Sequence, residues 1–328
     1  MAVEFKLPRD YSDINKVVIL GMGGSAIGGD LVSNLVASEA KLAIAVHRDY
    51  DLPAFVDDKT LVIASSYSGM TEETVSSFEQ AVGTTAKKLV ITTGGKLKDL
   101  ADRANIPVFT FDYKAQPRAA LPFSFLPILA FLQRLGFVSD KSTSVAETVQ
   151  VLRELSKGID KDVPLSHNSA KQLASDLHRR SAVIYGWGIL AEVAHRWKTQ
   201  LNENSKAWAF YEVFPELNHN AVVGYQFPPE LASKIIVILL RSPSLPQRIK
   251  LRYDTTCQLL DQAGVGYQIV DGEGASPLAH MMSLVLFGDY VTCYLAMLHG
   301  IDPTPVAPID YLKEKLAQLR ENEGRASK

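Results

Sequence analysis

Residues 17–21 read VVILG, and residues 25–36 read SAIGGDLVSNLV. The first run is aliphatic at every position until its glycine. The second spaces its apolar residues as a helix does. A strand with no polar side has to be covered on both faces. A helix entered straight through a glycine turn supplies such cover and carries the chain back to begin a parallel neighbour. This one junction points to an α/β sheet. The alternation continues, with apolar strands expected at 42–46, 61–65, 88–92 and 107–111 and helices at 71–82 and 97–103.

Between 138 and 168 the chain turns polar, with one amphipathic segment at 145–155 and no strand pattern. The alternation then resumes. A strand at 182–185 runs into the turn Gly186-Trp187-Gly188 and a helix at 190–205. A strand at 234–240, a helix at 248–263, a strand at 267–270 and an apolar helix at 281–298 follow. At 328 residues the chain is longer than one core usually covers. A duplicated α/β protein is expected, with units at 1–145 and 146–328.

Thirty-four Lys and Arg against 36 Asp and Glu leave a net charge of −2. No global field then favours nucleic acid or an acidic membrane surface. Cys257 and Cys293 are too few for a disulfide scaffold or a paired-cysteine metal knuckle. They are expected as small core hydrophobes in a reducing compartment. The opening stretch, MAVEFKLPRDYSDINK, has no apolar leader. The apolar run 119–132 is short for a membrane span and is broken by Pro122 and Pro127, while 281–298 carries Asp289 in its middle. Both read as buried helices of a cytoplasmic protein with no membrane or nucleic-acid partner.

The glycine loop Gly21-Met22-Gly23-Gly24-Ser25 stands at a strand-to-helix junction, where backbone N–H groups and the helix dipole favour an anion. Gly21, Gly23 and Ala26 also match the dinucleotide fingerprint, with Asp49 beyond the next strand, and a turn needed only for packing would look the same. The next junction discriminates. Residues 66–74 read SYSGMTEET, which puts Ser66, Ser68 and Thr71 together at a strand end. One hydroxyl would cap the helix. Three, with N–H groups beside them, suit a phosphate monoester. Thr92-Thr93-Gly94-Gly95 follows the same style. The corresponding stretch of the second half, Leu240-Arg241-Ser242-Pro243-Ser244, does not, so one phosphate cradle and no bound cofactor are expected.

GMGGSAIGGDLV followed by SSYSGMTEETV resembles a sugar isomerase (SIS) domain, which implies two SIS-type units, each a mainly parallel sheet flanked by helices. The resemblance gives Ser66, Ser68 and Thr71 the sugar phosphate, and Gly23, Gly24 and Ser25 the sugar. Met70 departs from it, since many such loops carry Asn or Asp there. Three further segments resemble the bifunctional phosphoglucose/phosphomannose isomerases: 116–122 (QPRAALP), 201–206 (LNENSK) continued to 215–220 (PELNHN), and 309–313 (IDYLK).

Moving a carbonyl between C1 and C2 of a sugar phosphate needs a base that takes a proton and returns it one carbon away, for which a partly desolvated carboxylate is suited. It also needs a fixed cation or donor facing the enediolate. The resemblance assigns the base to Glu203, with Glu216 a nearby competitor. It assigns enediolate stabilisation to Arg118, and ring opening to His219 and Lys313. The substrates implied are hexose 6-phosphates, and the assembly a homodimer with shared active sites. The helix 281–298 and Trp197 are the expected buried surface. The other histidines are expected to be structural. No HExxH and no clustered histidines with carboxylates are visible, so proton transfer without a metal is expected. The competing readings are a non-catalytic sensor of sugar phosphates and, on the glycine loop alone, a nicotinamide oxidoreductase.

Overall fold

The computed structural model describes residues 5–326; the ends of the chain lie outside it, as do the side chains beyond Leu319. The first unit runs β1 (Lys16–Leu20), α1 (Gly23–Val36), β2 (Ala43–His47), β3 (Thr60–Ser66), α2 (Glu72–Val82), β4 (Lys87–Thr92), α3 (Gly95–Arg103), β5 (Val108–Thr110) and α4 (Leu121–Arg134). The strands pair in parallel in the order β2-β1-β3-β4-β5. β3 is buried at all seven positions, as its apolar sequence demands. Alternate residues serve opposite faces. Val17, Ile19, Leu61 and Ile63 pack with α1 and α4, whereas Val18, Leu20, Val62 and Ala64 pack with α2 and α3.

Two helices follow, α5 (Ser142–Gly158) and α6 (Ser169–Leu177), and then β6 (Ser181–Trp187), α7 (Ala191–Glu203), β7 (Ala209–Phe214), β8 (Ile235–Arg241), α8 (Gln247–Ala263), β9 (Gly266–Asp271), α9 (Pro277–Leu298) and α10 (Ala307–Ala326). This sheet is also parallel, in the order β7-β6-β8-β9. The duplication is therefore one of strand order, with no counterpart of β5 in the second sheet. β7 is a strand that the apolar pattern does not predict. It is an edge strand whose middle positions are exposed or half-buried, so no unbroken apolar run marks it.

One core joins the two units. The inner faces of both sheets close on α1, α4, α6, α7 and α9 in a single cluster running from Val17 to Leu295. A separate cluster under α8 covers the outer face of the second sheet. Each fully buried aliphatic or aromatic side chain contributes about 1.5–3 kcal/mol, so neither unit could shed the other without exposing the helix faces, α1 and α7 among them, that meet in this core. α5 and α6 both pack on α9, and α5 straddles the expected division at 145/146.

Among the described residues α9 alone is long and apolar enough to cross a membrane; here it is a core helix. Trp197 is 1% exposed, its indole N–H donating to the Leu284 carbonyl at 2.8 Å. Trp197 and most of α9 are thus spent inside the chain, not offered to a partner as the sequence led one to expect, while Met297 and Leu298 at the end of α9 stay exposed. The most exposed large apolar side chains among the described residues are Trp208, Val223 and Phe227, and Phe210 is also exposed. Burial raises both cysteine thiols above their ordinary pKa, in keeping with inert packing.

Candidate active site

In an open parallel sheet the chain leaves neighbouring strands in opposite directions at one point, and a crevice forms at their carboxyl ends. Here that point lies between β1 and β3, whose last registered pair is Leu20 with Ala64. The glycine loop follows β1 and the serine loop follows β3, so the order of strands sets the two loops side by side. The Tyr67 N–H donates to Ser25 Oγ at 3.2 Å and ties them together.

Within the serine loop, Ser66 Oγ lies 2.9 Å from Thr71 Oγ1 and accepts from the Gly69 N–H at 3.1 Å. Ser68 Oγ accepts from the Met70 N–H at 3.2 Å. Ser66 is buried, Thr71 half-buried and Ser68 exposed. Thr71 is the N-cap of α2, yet its hydroxyl makes no capping bond. The loop rests on the next junction, because the Leu97 N–H donates to the Gly69 carbonyl at 2.9 Å. Gly69 has φ +65°, and a Cβ there would fall 1.8 Å from the Gly94 carbonyl oxygen, so no other residue fits.

Arg118 stands in a 3-10 turn (Pro117–Ala120) ahead of α4 and is 7% exposed. Gly24 lets this turn approach the glycine loop; a Cβ there would lie 3.2 Å from the Pro117 carbonyl oxygen. Arg118 Nε donates to Asn204 Oδ1 at 2.6 Å, and Nη2 donates to the carbonyls of Pro303 and Thr304 at 2.6 and 2.9 Å. Nη1 faces Glu203 Oε2 at 3.7 Å. Glu203 ends α7, its side chain 29% exposed. Asn202 closes the turn that follows by donating to the Ala207 carbonyl, and Asn204 is buried. Lys206 Nζ donates to the carbonyls of Glu203 and Pro303 at 2.5 and 3.1 Å. Its pKa is lowered, first by desolvation and then by the Arg118 charge.

Two clefts meet at Ile309 of α10. One, of about 690 Å³, is lined by Glu203, Lys198, Lys206, Trp208 and Phe210. The other, of about 400 Å³, holds Ser68, Thr71 and Lys313. The structure therefore gathers the serine loop with Lys313, the glycine loop with Arg118, and Arg118 with Glu203. It does not bring His219 to them. Glu203 precedes the amino end of β7, while His219 follows the carboxyl end. The strand between spans on the order of 20 Å. His219 is exposed, and its turn is pinned to α8 by Asn218, which accepts from Arg252 Nη1 and donates to Thr256 Oγ1.

Sequence reasoning passed over Asn204, Arg196 and Gln200, polar residues that read as a solvated helix face, and it weighed Asp289 only as a break in an apolar run. It also missed Asp30, Glu192 and His195, whose ligating atoms lie within 4.8 Å of one another. Only Glu192 and His195, three residues apart on α7, could have hinted at that group. Arg48 pairs with Asp30, and His195 Nδ1 lies 2.9 Å from Glu192 Oε2, so each member already has a partner within the chain.

A family model described as the bacterial phospho-glucose isomerase C-terminal SIS domain matches residues 166–316. The C-terminal domain of glucosamine-fructose-6-phosphate aminotransferase from Francisella tularensis shares the fold, with a TM-score of 0.71 at 14% identity over 92% of this chain and 89% of that one. A bifunctional phosphoglucose/phosphomannose isomerase of Aquifex aeolicus is 35% identical over 94% of this chain and 93% of its own. Another, of Caldicellulosiruptor bescii, is 45% identical over 94% of this chain and 91% of its own. Identity of that extent, carried on two SIS-type units, makes the chain a member of the bifunctional phosphoglucose/phosphomannose isomerase family and an isomerase.

Proposed function

We propose that this isomerase interconverts glucose 6-phosphate and mannose 6-phosphate with fructose 6-phosphate through a cis-enediolate. The reading rests above all on the buried Arg118 guanidinium held 3.7 Å from the Glu203 carboxylate, which lines a cleft that shares Ile309 with the one holding Ser68 and Thr71. Ser66, Ser68 and Thr71 take the phosphate through hydroxyl and N–H donors, and Gly23, Gly24 and Ser25 line the sugar. Glu203 removes the proton from C2 of the aldose and returns it to C1. The negative charge that develops on the oxygens of C1 and C2 meets Arg118, a fixed cation out of bulk water, where such a charge acts most strongly. Lys313, beside Ser68, and His219 open the ring. Proton transfer between adjacent carbons consumes no redox equivalent, and the reading includes no cofactor or metal.

His219 enters from a second copy of the chain, since a strand's length separates it from Glu203 within one. The exposed Trp208, just before the edge strand β7, and Phe210 on it line the same cleft as Glu203 and are the surface a homodimer would cover. The division into units of 1–145 and 146–328 and a cytoplasmic location belong to the same proposal.

The test is direct. Purified protein is incubated with fructose 6-phosphate alone, and both aldose phosphates are followed by coupled dehydrogenase assays. Formation of glucose 6-phosphate and mannose 6-phosphate supports the reading, and formation of neither sinks it.

A further inference from the structure

Asp289 is the one carboxylate in the apolar helix α9, half-buried with its side chain 31% exposed, and it faces a guanidinium whose burial needs a counter-charge. Its two oxygens accept from Arg196 Nη2 at 3.1 and 2.9 Å, and Oδ1 also accepts from Gln200 Nε2 at 2.8 Å. Arg196 is 2% exposed, and its Nε has no partner among the described residues, so its charge is balanced by Asp289. The same Nη2 donates to the Arg118 carbonyl at 3.1 Å.

A second path leaves α9 one turn later. Thr292 Oγ1 donates to the Asp289 carbonyl at 3.0 Å and accepts from Asn204 Nδ2 at 3.0 Å. Asn204 Oδ1 in turn holds Arg118 Nε. Arg196, Gln200, Glu203 and Asn204 follow at helical spacing along α7. One short stretch of α9 thus grips Arg118 from both ends, its backbone through Arg196 and its guanidinium through Asn204. The charges sort accordingly: Asp289 balances Arg196, which leaves Arg118 to Glu203.

We propose that Asp289 is a positioning residue for the isomerisation, fixing Arg118 against Glu203 through Arg196 without touching the substrate; the Thr292–Asn204 arm starts from its backbone carbonyl and survives loss of its carboxylate. The inference rests on the reading of Arg118 and Glu203 given above. Displacing a preorganised group by about 1 Å can cost on the order of a hundredfold in rate.

Two variants test it, because Asp289→Asn leaves a buried guanidinium without its counter-charge and can fail to fold. The double variant Arg196→Met/Asp289→Leu removes both charges together and keeps the core filled. Each folded variant is assayed for kcat and KM with fructose 6-phosphate. Each is also assayed for binding of two inhibitors: a five-carbon aldonate phosphate, whose planar carboxylate mimics the enediolate, and a hexitol 6-phosphate, which does not. The expected result is a kcat reduced about tenfold to a hundredfold with KM within about threefold. Preference for the aldonate over the hexitol should fall by a similar factor. A purely structural role would lower thermal stability and leave kcat per folded molecule and inhibitor preference unchanged, and that result overturns the inference. Arg118→Gln and Glu203→Gln are run beside them. If those two keep wild-type turnover, the site itself has been misread. If they collapse while the Asp289 variants do not, only the positioning role fails.

Discussion

The two units share a strand order, and each sends its first strand through a glycine turn into a helix, but their third-strand loops differ. After β3 the hydroxyls of Ser66 and Thr71 bond each other, and those of Ser66 and Ser68 accept from N–H groups of their own loop. After β8, Ser242 Oγ is taken by His280 Nδ1 at 3.1 Å and by Ser244 Oγ at 3.0 Å, while Arg241 forms a two-point pair with Asp271 at 2.6 and 2.8 Å. His280 completes the closure by contacting the Gly274 carbonyl through Nε2. The second crevice is filled by its own side chains. The second unit contributes instead at the amino end of its edge strand, where α7 delivers Glu203 beside Arg118 from the first unit. The two units are alike as scaffolds, and in the proposed function the chemistry divides between opposite ends of them.

If that division is right, equivalent changes in the two units should have unequal effects. Arg118→Gln removes the cation facing the base and should lower kcat by about 10²–10³-fold. Arg241→Gln breaks a partly exposed pair remote from the proposed chemistry, worth about 1 kcal/mol or less, and should leave kcat near wild type. Steady-state kinetics with fructose 6-phosphate compares them, and equal losses would break the contrast.

Gly69→Ala forces a Cβ into the Gly94 carbonyl and should cost more than about 2 kcal/mol, read as a fall in the denaturant midpoint. Gly188→Ala, at the second unit's glycine turn, also has positive φ (+56°) but meets nothing within 4 Å. It should cost about 1–2 kcal/mol, the strain of the left-handed conformation alone. A smaller effect at Gly69 than at Gly188 would contradict the packing described for the serine loop.

Ser68→Ala should raise KM about tenfold with kcat less affected, the loss expected for one hydrogen bond to a charged group. Ser244→Ala should leave KM unchanged. A KM that responds to Ser244 and not to Ser68 would move the phosphate to the other unit.

Much of the architecture was legible because a strand buried on both faces has little choice but to be largely apolar, as residues 61–64 are throughout. β7 escaped because edge strands need no such run, although Phe210, Tyr211, Val213 and Phe214 are the residue types a strand favours. The serine loop was legible for a different reason: three hydroxyls exceed what one helix start requires. The network around Arg118 was hidden. Asn204 and Arg196 look like surface residues until α9 covers them, and their partners are about 90 positions away. Asp289 was the visible clue, since a lone carboxylate in an apolar helix calls for a buried partner. The separation of His219 from Glu203 could not be foreseen without β7, the strand that divides them.

Mixed subunits probe that separation. Glu203→Gln and His219→Ala are inactive alone in this account. After subunit exchange, hybrid dimers should regain one intact site each, about a quarter of wild-type activity at equal mixing. No recovery after proven exchange would put both residues in one chain's site.

The central claim, that Glu203 carries the proton between C1 and C2, is tested most directly by turnover in heavy water. The wild type should place deuterium at C2 of the aldose and C1 of the ketose, because a proton held on a carboxylate exchanges with solvent during turnover. Glu203→Gln keeps the size of the side chain and removes its basicity. It should lose exchange and isomerisation together, by about 10²–10⁴-fold. Glu216→Gln, whose carboxylate accepts from Asn220 Nδ2 at 3.0 Å beside His219, should keep both. Wild-type exchange in Glu203→Gln, with loss in Glu216→Gln, would contradict the account and transfer the base to Glu216.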